Sequence, residues 1–249
     1  MTSIMSNEIR WLIKEKYGGV RSEEAEKDIE RIKQGEPVGY VIGFVEFLGC
    51  KIDLSQRPLI PRPETEFWVE QAIADVKSSA FDKIKCLDIF AGSGCTGVAI
   101  LKNIPSSTVD FVDSDSKAIK QIKINCELNG ISTSRWQVIN SDIFESVTGS
   151  YNYILANPPY IARGDKEIEE SVLKYESHKA LFAGPDGLDI IKKFFIEAKK
   201  YLNNNGKIYM EFSSVQKEKI EKILEKSGFR EIAFLQDQFG KWRCLVLSK

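Results

Sequence analysis

The chain has 249 residues, 43% of them hydrophobic and 29% charged, with 35 Lys+Arg against 36 Asp+Glu for a net charge of -1. This is the balance of an ordinary folded protein, with room for one large α/β domain and a small appendage; it excludes disordered, fibrous and strongly basic nucleic-acid-binding classes. Five scattered cysteines without a C-x-x-C, and His178 as the single histidine, predict neither a zinc site nor a disulfide framework.

Residues 1–36 read as short, charged helices with Ile9, Trp11, Leu12 and Ile13 as apolar anchors. The first ten residues lack the apolar core of a secretion signal, and no run of ~18 apolar residues occurs, so a cytoplasmic protein without a membrane span is expected. Residues 40–43 and 45–49 are β-formers bounded by glycines, the pattern of a hairpin. A stiff stretch punctuated by Pro58, Pro61 and Pro63 follows. From there helices and strands alternate. Helices are predicted over 66–76, 96–102, 116–128, 188–202 and 215–227, the fourth ended by Asn205-Gly206. Strands are predicted over 84–90, 108–112, 136–139, 153–156, 207–212, 231–235 and 242–248. Such alternation implies a mostly parallel sheet covered on both faces, and the short link between the last two strands implies an antiparallel pair.

Four strand ends carry chemistry. The first strand runs into Asp88-Ile89-Phe90-Ala91-Gly92-Ser93-Gly94, an acidic strand end followed by a small-residue turn that lets backbone approach a ligand. The spacing is not the dinucleotide G-x-G-x-x-G, and a carboxylate here suits a ligand's ammonium better than a pyrophosphate. Asp113 ends the next strand, where a carboxylate can accept both hydroxyls of a ribose; it can equally cap the following helix. Asp142 after the third strand can accept from an adenine amino group, with Ile143 against the ring; a solvated loop aspartate is the plainer reading.

The fourth signal is Asn157-Pro158-Pro159-Tyr160, directly after an apolar strand. Two prolines cannot continue a ladder, so the chain turns out at the carboxyl edge of the sheet, where open α/β sheets bind ligands. Asn157 offers a carbonyl acceptor, Pro158 a backbone carbonyl and Tyr160 a flat face, a set that suits a planar group bearing –NH₂. An amide nitrogen is a poor nucleophile because its lone pair is delocalised. Two hydrogen bonds orient it and raise its electron density, and transfer from a sulfonium methyl then needs mainly alignment. Tyr160 and Phe90 are the aromatic faces for the cationic centre.

Together with these motifs, the stretches Pro37-x-x-Tyr40-x-x-Gly43, Leu59-Ile60-Pro61-Arg62-Pro63-Glu64-Thr65-Glu66 and Ala180 to Leu188 resemble the release factor glutamine methyltransferase family. The resemblance implies an α/β fold with a seven-stranded, mostly parallel, Rossmann-like sheet, and S-adenosylmethionine as methyl donor with S-adenosylhomocysteine as product. It implies a short helical N-terminal region over 1–36, a β-hairpin linker over 37–58 and a methyltransferase domain over 59–249. The substrate would be N(5) of the glutamine in the Gly-Gly-Gln motif of peptide chain release factors. Asn157, Pro158, Pro159 and Tyr160 are then catalytic. Thr65, Asp88, Ile89, Phe90, Ala91 and Gly92 are expected at the cofactor, as are Gly94, Asp113, Asp142, Ile143 and Asn157. A monomer without metal is expected, with nucleic acid not a direct substrate. The sequence departs from the family in its short N-terminal region, in Phe90 where a small residue is usual, and in Ser213 where glycine is common. The rival readings are a nucleobase amino-methyltransferase, which must flip a base and grip phosphates, a ribosomal-protein glutamine methyltransferase and a catalytically silent binding subunit.

Overall fold

The computed structural model describes residues 3–166, 168–225 and 227–249. It opens with helices α1 (Ser3–Tyr17) and α2 (Glu23–Lys33), the second started by the Ser22 hydroxyl, which accepts from the Ala25 N–H. Of residues 40–43, expected as a hairpin arm, 40–42 belong instead to a short helix α3 (Val38–Ile42), capped by Gly43 with φ 95°. The reason is tertiary. Val38, Val41 and Ile42 at helical spacing bury against Leu12 of α1 and Ile29 and Ile32 of α2, and that burial overrides their β preference. The hairpin starts one arm later: β1 (Phe44–Phe47) pairs antiparallel with β2 (Cys50–Asp53).

The remaining elements are α4 (Pro63–Ser78), β3 (Ile84–Ile89), α5 (Cys95–Asn103), β4 (Ser107–Asp113), α6 (Ser116–Leu128), β5 (Trp136–Asn140) and β6 (Tyr151–Ala156). Then come α7 (Glu170–Tyr175), α8 (His178–Leu181), α9 (Asp189–Glu197), β7 (Leu202–Glu211), α10 (Lys217–Leu224), β8 (Glu231–Gln236) and β9 (Trp242–Ser248). The predicted seven-stranded sheet is present, in the order β5-β4-β3-β6-β7-β9-β8. The first five strands in that order are parallel, and β9 runs antiparallel between β7 and β8. Asn205-Gly206 does not end a helix. α9 gives way to a 3-10 turn at Ala198–Tyr201, and the pair sits inside β7, where the register against β6 shifts. Asn205 takes φ 59° there, and a Cβ on Gly206 would stand 2.9 Å from the Asn152 carbonyl oxygen.

Side chains of β3 alternate between two cores. Cys86 packs with Trp68 of α4 and Val98 of α5, while Leu87 and Ile89 pack with Phe194 of α9 and Ile220 of α10. Helix α5 lies so close to β4 that a Cβ on Gly97 would meet the Phe111 ring at 2.3 Å. Amide side chains of α6 dock the hairpin: Asn125 accepts from the Asp53 N–H at 2.8 Å and donates to the Ser93 carbonyl at 2.8 Å. One residue thereby ties the hairpin to the glycine turn after β3. All five cysteines are buried and none forms a disulfide. No helix among the described residues is long and apolar enough to cross a membrane.

Candidate active site

The carboxyl ends of β3, β4, β5 and β6 open on one cavity. Asp88, Ile89, Phe90, Ala91 and Gly92 line it from the first, Asp113 from the second, Asp142 and Ile143 from the third. Asn157 and Pro159 line it from the fourth, and Thr65 reaches it from the start of α4. Gly94, Pro158 and Tyr160 stand outside this lining. Gly94 holds φ 77° at the start of α5, packed against Ile122, so it shapes the turn.

Backbone geometry marks the same place. Phe90 and Ile143, both in the lining, hold φ 62° and 48°. A bulky or β-branched residue in the left-handed region is strained, and such strain persists where the surroundings impose it, commonly at functional sites. The turn is held from the neighbouring strand: Ala91 donates to the Val112 carbonyl at 3.0 Å, and Gly92 donates to Asp113 Oδ2 at 2.8 Å. Asp113 Oδ1 accepts from the Asp115 N–H at 2.9 Å, so the reading of Asp113 as a local cap also has a basis. The cap residue of α6 proper is Asp115.

At the fourth strand end, β6 and β7 run parallel with Ala156 opposite Met210, so Asn157 and Glu211 leave adjacent strand ends. Asn157 Nδ2 lies 3.4 Å from Thr65 Oγ1. Thr65 Oγ1 donates to Glu211 Oε2 at 2.6 Å, Trp68 Nε1 donates to the same oxygen at 2.8 Å, and the Tyr160 hydroxyl donates to Glu211 Oε1 at 3.0 Å. The Tyr160 carbonyl accepts from Gln216 Nε2 at 2.9 Å. Gly187 packs so tightly there that a Cβ would stand 2.1 Å from the same carbonyl oxygen. The Asn-Pro-Pro-Tyr turn is therefore gripped from three sides.

The residues that sequence reasoning missed are Glu211 and Glu176. Glu211 does have a signal, a carboxylate in the otherwise apolar run Ile208 to Phe212. Glu176 is buried and pairs with Arg62 at 2.5 Å, pinning the start of α4 to the segment after α7. Nothing in its sequence neighbourhood distinguishes it from other glutamates.

The comparisons with known proteins bear on this site. A family model described as methyltransferase small domain matches residues 71–184. The release factor glutamine methyltransferase of Lactococcus lactis subsp. lactis (strain IL1403) is 35% identical over 246 residues, covering 97% of this chain and 89% of that protein. The chain belongs to the release factor glutamine methyltransferase family. A second member, from Thermodesulfovibrio yellowstonii, is 35% identical over 89% of this chain and 79% of its own. Among solved structures, a Thermus thermophilus 16S rRNA N2 G1207 methyltransferase in complex with AdoMet and guanosine superposes with TM-score 0.60 at 18% identity, over 83% of this chain and 49% of that one. A ribosomal protein L11 methylase from Lactobacillus delbrueckii subsp. bulgaricus gives 0.57 at 18% identity, over 77% of this chain and 81% of that one. At that identity they speak for the methyltransferase fold.

In this family member the two strand-end carboxylates differ from ordinary ones. Burial pushes the Asp88 carboxyl up to about 8, with the nearby Asp113 charge adding to the rise and the Gly97 N–H, 2.8 Å from Oδ2, opposing it. Burial also raises Asp113, against the N–H groups of Asp115 and Gly92. Among the described residues, no group of three or more His, Cys, Asp or Glu side chains could hold a metal ion.

Proposed function

We propose that this family member transfers a methyl group from S-adenosylmethionine to N(5) of the glutamine in the Gly-Gly-Gln motif of a peptide chain release factor, leaving S-adenosylhomocysteine. The observation that supports it most is the Asn157 amide at the cavity wall, its nitrogen turned to Thr65 and its oxygen therefore available to an –NH₂ donor. The donor set of the cavity fits the methyl donor. Asp88 would hold its ammonium, Asp113 its ribose hydroxyls, and Asp142 with Ile143 its adenine. Thr65, Ile89, Phe90, Ala91, Gly92 and Gly94 would shape the pocket around it. When bound, S-adenosylmethionine supplies a methyl group on a positively charged sulfur. The protein's own part is orientation. Asn157 Oδ1 and the Pro158 carbonyl accept from the two N–H bonds of the glutamine amide, while Pro159 and Tyr160 fix the turn that presents them. As the N–C bond forms and the S–C bond breaks, the amide nitrogen becomes strongly acidic and gives up one proton to water, so no strong base is required. The near-neutral charge argues against the nucleobase reading, which needs a phosphate grip. The test is tandem mass spectrometry of a release factor after incubation with enzyme and S-adenosylmethionine. The mass of one methylene appears on the glutamine amide; methylation of adenine in added oligonucleotides, with none on glutamine, would overturn the assignment.

Two expectations concern the cofactor side. Asp113→Ala weakens S-adenosylmethionine binding by about 1–3 kcal/mol, because ribose donors lose their acceptor. It also lowers thermal stability modestly, since the N–H groups of Gly92 and Asp115 lose theirs. Calorimetric affinity equal to that of the unaltered enzyme removes Asp113 from the site. For Asp88 the raised carboxyl sets the sign. An ammonium favours the ionised form, so binding below pH about 8 releases a proton and affinity climbs with pH towards that value. Above it, affinity falls as the ligand's own amino group, with a pKa of roughly 8, loses its charge. Asp88→Asn removes the climb. Calorimetry in two buffers of different ionisation heat measures the proton, and none released at neutral pH refutes the pairing.

A further inference from the structure

We infer that Glu211 is a positioning residue that decides, through Thr65, which end of the Asn157 amide faces the substrate. The inference rests on the proposed glutamine methylation and adds a residue to it. Glu211 is 2% exposed and closes β7. An ionised carboxylate only accepts, and all three side chains bound to it donate: Thr65 at 2.6 Å, Trp68 at 2.8 Å and Tyr160 at 3.0 Å. The positive charge of Arg243, on the neighbouring strand, acts on the same site. The charge is thereby compensated where an unpaired one would be strongly destabilising.

The hydrogen count then carries the argument forward. A threonine hydroxyl has one hydrogen, and that of Thr65 is committed to Glu211 Oε2. Towards Asn157, Thr65 can only accept, so the Asn157 atom beside it must be the –NH₂ nitrogen, as found at 3.4 Å. Asn157 Oδ1 is left for the substrate amide. Without a carboxylate behind it, the Thr65 hydroxyl is free to turn and donate to Asn157. A flipped Asn157 would then satisfy Thr65 equally well and present donors to a substrate that also offers donors. Glu211 removes that degeneracy. Through Tyr160 it also anchors the far end of the same turn.

Steady-state kinetics on a release factor, with kcat and the KM for S-adenosylmethionine separated, tests this. Glu211→Leu lowers kcat roughly tenfold or more and leaves that KM unchanged, because the loss is one of alignment. Glu211→Gln restores most of the turnover. Its oxygen can face Trp68, which only donates, and Thr65, while its nitrogen turns to Tyr160, whose hydroxyl can accept. Thr65→Val matches Glu211→Leu, and Thr65→Ser recovers what Thr65→Val loses. The Thr65 pair decides alone if Glu211→Leu does not fold. A folded Thr65→Val that keeps the unaltered kcat overturns the inference. So does a loss confined to the KM for S-adenosylmethionine, or a Glu211→Gln as impaired as Glu211→Leu, which would mean that charge and not hydrogen-bond direction matters. Methylation of the glutamine by the unaltered enzyme is measured alongside. Its absence removes the proposed function together with the inference, whereas its presence with indifferent variants removes the inference alone.

Discussion

Asn157→Ala lowers methyl transfer about a hundredfold or more while leaving the thermal unfolding profile nearly unchanged. The asymmetry follows from what the side chain touches. Its contact with Thr65 is long, at 3.4 Å, and the turn around it is held independently by Gln216, Gly187 and the Tyr160–Glu211 hydrogen bond. Removing the amide therefore costs at most about 1 kcal/mol of stability. Turnover loses an acceptor that sets the direction of the reacting nitrogen's lone pair, and misalignment of a weak nucleophile acts directly on the barrier. Steady-state rates paired with a thermal melt measure both halves. A fall of less than about tenfold in a folded variant would remove the amide clamp from the mechanism.

A release factor whose Gly-Gly-Gln glutamine is replaced by glutamate is not methylated at that side chain, whose carboxylate offers no nitrogen and does not form a methyl ester. A carboxylate brings only acceptors to the Asn157 oxygen and the Pro158 carbonyl, so no hydrogen bond forms and a charge is left unpaired among lone pairs. Asparagine in the same place also loses heavily, since its nitrogen stops one methylene short of the methyl group. Mass spectrometry of the two altered release factors beside the natural one reads this directly. Efficient ester formation on the glutamate variant would show that the site selects by something other than –NH₂ donation.

Much of the fold was legible because its signals are local. Apolar runs bounded by glycine and proline place six of the seven strands within a residue or two, whereas β7 begins at Leu202, five residues before the predicted start; the pair of prolines after Ala156 predicts a turn at the sheet's carboxyl edge. The helix at 38–42 and the bulge at Asn205-Gly206 were not legible. Val38, Val41 and Ile42 are β-formers by preference and become helical because α1 and α2 cover them. Asn-Gly reads equally as a helix stop or a bulge until the register of β7 against β6 is known.

The same division runs through the site. By itself the sequence determined the chemical groups: three acidic strand ends, a small-residue turn and an Asn-Pro-Pro-Tyr segment, each short enough to be recognised from neighbouring residues. Only the tertiary structure decided how they act together. Strand order puts β6 between β3 and β7, which sets Glu211 beside a threonine 146 residues away and a tyrosine 51 residues away. The direction of the Asn157 amide then follows from counting hydrogens in that cluster. Chain-local patterns encode hydrophobic periodicity and turn propensity, but a hydrogen-bond direction depends on partners that meet only after the sheet has assembled.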